Sequence, residues 1–255
     1  MLKKYTCLLL ALLLSTAMIL PSLVSCELVE SSSVSDKEDD ADDKDDKDDK
    51  DDNDDTDKES EKTYKNISEL VADRVNSKRV TDFEETDKIT NYVKITVAGH
   101  GDIVLELIPK TAPITVKNFQ KLVSEGFYDG LTFHRIYKDF MIQGGDPDGN
   151  SQGSSDTSIK GEFASNGVEN NLKHLRGVIS MARGTEPDSA SCQFFICDAT
   201  SEHLDGNYAS FGYVIAGMET VDSIAAVEVQ ANATGEKSDP IKDVIIEKMV
   251  FVNPS

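Results

Sequence analysis

Short apolar runs, separated by glycine, proline and aspartate, follow one another along the chain from Asn91 onwards. The runs predicted to be strands are residues 92–97, 103–107, 131–136, 140–143, 178–182, 193–197, 211–215 and 244–251. Their length and their turn-forming boundaries are typical of β-strands. Eight such strands with long glycine-rich connections predict a closed antiparallel β-barrel.

Two segments between these strands follow the helical period instead. The first begins after Pro113 and stops before Gly126, with Val116, Phe119 and Val123 on one face. The second runs over residues 219–226 with an apolar face of its own. The predicted fold is therefore mainly β: a closed eight-stranded antiparallel β-barrel capped by two α-helices. Because side chains fill such an interior, a binding site is expected on the outside.

The first 25 residues are predicted to be an export signal. Lys3 and Lys4 precede an apolar stretch from Leu8 to Leu20, which is interrupted by Ser15 and Thr16. A transmembrane anchor is the alternative, but the stretch is shorter than the ~20 residues that span a bilayer. The sequence Leu23-Val24-Ser25-Cys26 resembles the lipobox of bacterial lipoproteins. This resemblance implies cleavage before Cys26, a lipid on its thiol, and an extracytoplasmic protein anchored to the cell membrane.

Charge then separates a tether from a folded part. Residues 36–61 hold 17 acidic residues and 5 lysines, so they carry −12 of the net charge of −21. Residues 26–62 are predicted to be the lipidated N-terminus followed by a disordered Asp/Lys-rich tether, because residues 31–62 consist almost entirely of Ser, Asp, Lys and Glu. Weak cation binding by the carboxylates is the alternative. Residues 63–90 form a partly ordered lead-in with a short helix after Asn66. The folded domain is expected at residues 91–253.

The acidic composition also limits the partners. Nucleic-acid binding depends on clustered lysine and arginine, which this chain lacks, so no nucleic-acid partner is expected. No metal or cofactor is predicted. A closed barrel leaves few free strand edges, which favours a monomer.

Several spaced motifs resemble the signatures of the cyclophilins, which are peptidyl-prolyl cis–trans isomerases. The resemblance covers roughly residues 91–252, and its motifs follow one another in the same order as in that family. The motifs are Phe133-His134-Arg135-Ile136, Phe140-Met141-Ile142-Gln143-Gly144-Gly145, Gly161-Glu162-Phe163, Ser180-Met181-Ala182-Arg183, Gln193-Phe194-Phe195-Ile196, Leu204-Asp205-Gly206 and Phe211-Gly212. It implies an eight-stranded barrel capped by two helices, prolyl isomerase activity, and proline-containing polypeptides as partners.

The resemblance also implies roles for individual residues. Arg135 matches the catalytic arginine, a permanently charged donor that can bind the proline nitrogen of a twisted amide. The expected substrate-binding residues are His134, Phe140, Met141, Gln143, Ala182, Arg183, Phe195, Leu204 and Tyr208. Among them, His134 is expected to have a packing or orienting role and not that of a general base, since the reaction needs no proton transfer. Strand alternation predicts that Met141 and Gln143 share a face and that Phe194 and Phe195 point in opposite directions.

Three positions depart from the best-known members of that family. His203 stands where many eukaryotic cyclophilins have a tryptophan that binds cyclosporin, so weak or no cyclosporin binding is expected. Tyr208 replaces a histidine of the pocket. Arg183 replaces an asparagine, which puts the side-chain preference of the groove in doubt.

Three rival interpretations exist. Asp146-Pro147-Asp148 imitates the start of an EF-hand calcium loop, but Ser151 and Thr157 break the pattern. A nucleophilic Cys192 paired with His203 lacks a basic environment on its apolar strand, and Cys197 lies too far along that strand for a disulfide. The third is a non-catalytic module that binds proline-containing segments as a chaperone or adaptor. A module used only for binding would have little reason to keep Arg135, Phe140 and Gln143 together.

Overall fold

The computed structural model describes residues 66–75 and 82–254. The α-helices are α1 (Ile67–Val75), α2 (Pro113–Ser124) and α3 (Met218–Ala225). The strands are β1 (Phe83–Thr86), β2 (Tyr92–Val97), β3 (Gly101–Leu107), β4 (Arg135–Tyr137), β5 (Met141–Gly144), β6 (Val178–Met181), β7 (Phe194–Cys197), β8 (Ser210–Ala216), β9 (Val229–Ala231), β10 (Lys237–Pro240) and β11 (Ile246–Pro254). Short 3₁₀ turns occur at Ala164–Asn166 and Glu202–Leu204. The predicted signal peptide, Cys26 and the acidic spacer lie outside the described residues.

Nine strands form one antiparallel sheet in the order β1-β11-β2-β3-β8-β6-β7-β5-β4, and β9 and β10 form a separate hairpin. Each of the eight strands predicted from the sequence is present. The predicted strand count is nevertheless too small, because β1, β9 and β10 are added. The short helix predicted after Asn66, α1, is a third helix beside the two that were expected to cap the barrel. The ladders also do not return from β4 to β1, so closure of the barrel is not shown. Isolated bridges join Thr132, before β4, to Asp146 and to Ile245.

Aromatic side chains fill the inner side of the sheet. Phe119 of α2 lies 5.3 Å from Tyr128, 5.6 Å from Phe194 and 5.2 Å from Phe211 between ring centroids. All four side chains are fully buried. Burial of large aromatic rings contributes most to a core of this size.

Helix α2 begins without a cap from its own segment. Ala112, at the position before the helix, provides no side-chain hydrogen bond. The buried Glu162 accepts instead: its Oε1 from the Ile114 N–H at 3.0 Å, and its Oε2 from the N–H and Oγ1 of Thr115, both at 2.7 Å. A carboxylate at this end also interacts favourably with the helix dipole. A residue 47 positions away in sequence thus closes the start of α2.

Helix α1 packs on the outer face of the sheet. Val71 is fully buried in a cluster with Leu172, Val178 and Tyr213. Arg74 donates from Nη1 to Glu106 Oε2 at 2.8 Å and to the Tyr213 hydroxyl at 2.8 Å. The predicted short helix is confirmed, and it is part of the folded domain. Among the described residues, no helix is long and apolar enough to span a bilayer.

Candidate functional site

The register of four neighbouring strands aligns the predicted site residues. Arg135 of β4 is directly opposite Gln143 of β5, Gln143 is opposite Phe195 of β7, and Phe195 is opposite Ser180 of β6. Residues opposite one another in antiparallel strands have neighbouring side chains on the same face. The sheet therefore presents a cation, an amide and an aromatic ring side by side.

An apolar cavity of about 160 Å³ opens beside this row. The residues around it are Arg135, Phe140, Met141, Gln143, Ala182, Arg183, Phe195, Leu204 and Tyr208. Met141, Phe195 and Leu204 form its buried apolar surface, and Tyr208 stands edge-on to the Phe195 ring at 5.8 Å. Phe140 lies in the turn between β4 and β5, and its ring centroid is 5.3 Å from that of His203. A cavity of this size with a buried apolar surface suits a small apolar ring.

The Arg135 guanidinium stands at the edge of the cavity and is held from two sides. Its Nε donates to Glu236 Oε1 at 2.8 Å and its Nη2 to Glu236 Oε2 at 3.0 Å. Its Nη1 donates to Gln143 Oε1 at 3.3 Å and lies 3.8 Å from the Met141 sulfur. The Glu236 pair is bidentate, which fixes the plane of a guanidinium as well as its position. The hydrogen bond from Arg135 lowers the pKa of Glu236 below its ordinary value.

A larger polar groove of about 490 Å³ continues from the other side of Arg135. Gln143 Nε2 donates to Gln193 Oε1 at 2.9 Å, and Gln193 Nε2 donates to the Gly153 carbonyl at 2.7 Å. Asn232 and Thr234 border the same groove. Arg135, Gln143, Ala182 and Arg183 belong to both depressions. An extended peptide could therefore place an apolar ring in the cavity and its neighbouring residues along the groove.

Arg183 forms the wall between the cavity and the groove. Its guanidinium carbon lies 4.8 Å from the Tyr208 ring centre and 5.1 Å from that of Phe163. Its Nε donates to the Asn207 carbonyl at 3.0 Å, and its Nη1 to the Gly184 carbonyl at 2.9 Å. These contacts fold the side chain back over the aromatic rings. They leave a positive charge on the groove wall where the resemblance implies a neutral asparagine.

The structure brings together all the predicted site residues of the folded domain except His134. Met141 and Gln143 share the cavity face, as predicted. Phe194 is buried in the main core, whereas Phe195 faces the cavity, which confirms the predicted alternation. His134 does not line the cavity. It is 8% exposed, and its ring nitrogens have no hydrogen-bond partner among the described residues. Burial lowers its pKa, and the Asp146 carboxylate opposes this shift.

Two residues that shape the site were missed from the sequence. Gln193 precedes the Phe194-Phe195 pair, and strand alternation from Phe195 could have placed it on the cavity face. Glu236 lies 101 positions after Arg135, in the turn of the β9–β10 hairpin. No local pattern indicates that Glu236 belongs to the site, because the sequence around it is typical of a polar turn.

The structure also shows the surroundings of the residues on which two of the rival interpretations depend, the cysteines and Asp146. Cys192 and Cys197 are buried and unpaired, and burial raises the pKa of both thiols. A protonated, buried thiol is a poor nucleophile. The Asp146 carboxylate accepts hydrogen bonds from the N–H groups of Asp148 at 2.8 Å and Asn150 at 3.1 Å. It therefore acts as the cap of its own turn.

A buried histidine supports the floor of the cavity from behind. The His174 ring is stacked on Phe195 with centroids 6.0 Å apart. Its Nδ1 lies 3.0 Å from Asp205 Oδ1, and its Nε2 lies 3.1 Å from Ser180 Oγ. Burial lowers the His174 pKa, and the Asp205 hydrogen bond opposes that shift. The ring is therefore neutral at pH 7, with Nδ1 donating to Asp205 and Nε2 accepting from Ser180.

This neutral histidine predicts that acid destabilises the fold. Because its folded-state pKa is below the unfolded value of about 6.5, the unfolded chain binds the proton first, and stability is lost as pH falls below that value. We expect the free energy of unfolding, measured by urea denaturation, to fall between about pH 7.5 and pH 5.5. His174→Gln should reduce this slope, whereas the matched change of the partly exposed His100 should not. An unchanged slope in His174→Gln would assign the pH dependence to other groups.

Comparison with known proteins relates this site to a family. Residues 92–250 match the family model "Cyclophilin type peptidyl-prolyl cis-trans isomerase/CLD". Peptidyl-prolyl cis-trans isomerase A of Dickeya dadantii is 39% identical over 169 residues, which is 64% of this chain and 85% of that protein. The human peptidyl-prolyl cis-trans isomerase-like 1 is 42% identical over 149 residues, 58% of this chain and 85% of that protein.

A solved structure is similar in both fold and sequence. It is the crystal structure of a Cryptosporidium parvum cyclophilin type peptidyl-prolyl cis-trans isomerase in the presence of the dipeptide Ala-Pro. The TM-score is 0.56 at 32% identity, and the match covers 63% of this chain and 98% of that one. The residues that match the family model, 92–250, include every residue of the cavity.

Proposed function

The chain belongs to the family of cyclophilin-type peptidyl-prolyl cis–trans isomerases and is an isomerase; we propose that it rotates Xaa-Pro bonds at the cavity beside Arg135. One observation carries this assignment. The strand register sets the Arg135 guanidinium at the edge of an apolar cavity that could take a proline ring. The Ala-Pro dipeptide with which the Cryptosporidium relative was crystallised supports proline-containing polypeptides as the substrates here.

Catalysis of this rotation requires the site to bind the amide in its twisted state. Rotation breaks the partial double bond, at a cost of about 18–20 kcal/mol, and returns the lone pair to the proline nitrogen. A donor aimed at that nitrogen binds the twisted state better than either planar state, which is what lowers the barrier. The Arg135 guanidinium carries a permanent charge and is fixed by Glu236 and Gln143. It therefore provides that donor without any proton transfer.

The surroundings would hold the two ends of the bond differently. Phe195, Met141 and Leu204 would enclose the proline ring and exclude water. Gln143, whose amide is already oriented by Gln193, would hold the backbone on the other side of the bond. Fixing one end while the other rotates reduces the entropy cost of reaching the twisted state.

Exchange spectroscopy distinguishes an isomerase from a module that only binds. We expect the full chain, at catalytic concentration, to speed cis–trans exchange of a short peptide with one Ala-Pro bond, as measured by NMR. The alternative, a proline-binding chaperone or adaptor on a lipid anchor, would shift the peptide signals without speeding exchange. That second outcome would overturn the catalytic assignment.

We further propose that the enzyme is a lipoprotein that assists the folding of exported proteins. The proposal depends on the sequence before the folded domain: an apolar signal that ends at Leu23-Val24-Ser25-Cys26, followed by an acidic spacer. A lipid on Cys26 would hold the domain outside the cell membrane, with the spacer setting its reach.

Lipid labelling tests the anchor directly. In the organism or in a bacterial host, a labelled fatty acid should be incorporated into the wild-type chain, and Cys26→Ala should abolish the label and release the protein from the membrane fraction. Cys7→Ala is the matched control and should keep the label, because that residue would leave with the signal. Labelling of Cys26→Ala would contradict the proposal.

A further inference from the structure

Glu236 contacts Arg135 more extensively than any other described residue does. Both its carboxylate oxygens accept from the guanidinium, at 2.8 Å and 3.0 Å. We propose that Glu236 is the positioning residue of the active site, which holds Arg135 in the orientation that the isomerisation requires. This inference rests on the proposed role of Arg135 and adds to it a residue from outside the sheet that carries the cavity.

The hairpin that carries Glu236 is itself braced. The Asn232 side-chain oxygen accepts from the N–H groups of Thr234 and Glu236, both at 3.0 Å. The Asn232 N–H donates to the Glu236 carbonyl at 2.8 Å, and its side-chain amide donates to Ser238 Oγ at 3.2 Å. One asparagine thus fixes the turn from inside. The Glu236 carboxylate therefore projects from a defined backbone and not from a loose loop.

The contacts divide the donors of Arg135 into two groups. Glu236 takes Nε and one Nη2 hydrogen, on the side of the hairpin. Nη1 faces Gln143 and Met141, both of which line the cavity. A free arginine side chain samples many rotamers, and ordering it costs conformational entropy. The ion pair with Glu236 orders the Arg135 side chain before the substrate binds, so the Nη1 donors already face the cavity.

The ion pair between Glu236 and Arg135 could also have the opposite effect on activity. Glu236 is an anion beside a cation that is proposed to stabilise the twisted amide, so it could weaken that stabilisation by partial neutralisation. In that case its removal would raise activity. Both groups are partly exposed, with side chains 27% and 32% accessible, so solvent screens their charges while the bidentate geometry persists. This favours orientation as the main effect.

Three variants measured by peptide exchange separate these effects. We expect Glu236→Gln to lower kcat/KM about tenfold, and the loss to lie in kcat, because orientation matters most in the twisted state. Glu236→Asp keeps the charge but cannot reach both guanidinium nitrogens, so it should be intermediate. Glu228→Gln makes the same charge change at an exposed position just before β9 and should match the wild type.

A double-mutant cycle with Arg135→Ala ties the effect to the arginine. If Glu236 acts through Arg135, Glu236→Gln should have no further effect in the Arg135→Ala background. Slower hydrogen exchange at Arg135 Nε–H in the wild type than in Glu236→Gln would report the pair directly. Wild-type or higher kcat in Glu236→Gln, with Arg135→Ala inactive, would overturn the positioning role alone. Full activity in Arg135→Ala would instead overturn the assignment of the site.

Discussion

Replacing Arg135 by alanine is expected to lower kcat/KM for Xaa-Pro isomerisation by at least about 100-fold. Among the described residues around the apolar cavity, the only other cation is Arg183, whose Nε and Nη1 donate to backbone carbonyls. Removing Arg135 therefore leaves no fixed donor for the proline nitrogen. Arg135→Lys should retain some activity, because the charge remains while the bidentate contact with Glu236 is lost.

Binding and turnover should separate in this variant. The apolar surface of Met141, Phe195 and Leu204 is untouched, so we expect peptide affinity, measured by NMR titration, to change less than about tenfold. Arg176→Ala is a matched control: its ion pairs with Asp198 and Asp222 lie outside the cavity lining, and its activity should match the wild type. An Arg135→Ala enzyme with near-normal kcat would contradict the catalytic role.

Replacing Glu162 by glutamine is expected to lower the free energy of unfolding by about 3 kcal/mol. The carboxylate is 2% exposed and accepts three hydrogen bonds at the start of α2. Glutamine has nearly the same shape, but its amide group would turn a donor towards backbone N–H groups that are donors too. The loss therefore comes from mismatched buried polar groups and from the lost charge at the helix terminus.

Urea denaturation and thermal unfolding measure this effect. For a domain of this size the melting temperature should fall by about 6–12 °C. Thr115→Val, which removes only the Oγ1 contact, should cost about 1 kcal/mol. Glu247→Gln changes the same charge at an exposed position of β11 and should leave stability unchanged. A Glu162→Gln protein as stable as the wild type would show that α2 needs no cap from Glu162.

The sequence was a good guide wherever a local period carried the information. A strand turns successive side chains to opposite faces, so the alternation alone separated Phe194 from Phe195 and placed Met141 with Gln143. The helical period similarly located α2, α3 and α1, and the spaced motifs implied the family and the membership of the cavity.

The number and closure of strands were harder to predict. β1 has only one partner strand, β11, and the β9–β10 hairpin is short and polar. Neither has the apolar run that signals a buried strand, because little of either is buried. Their formation depends on the neighbour against which they pair, which periodicity does not show.

What the sequence by itself determined is the position of the eight apolar strands and the three helices, and the residue types that line the Arg135 cavity. What only the tertiary structure decided is which distant groups meet. The register of β4, β5 and β7 aligns Arg135, Gln143 and Phe195; Glu162 closes α2 from 47 residues away, and Glu236 reaches Arg135 across 101. Hydrogen bonds and ion pairs between distant segments leave no period in the sequence, since they form only after the sheet and its hairpin have brought the partners together.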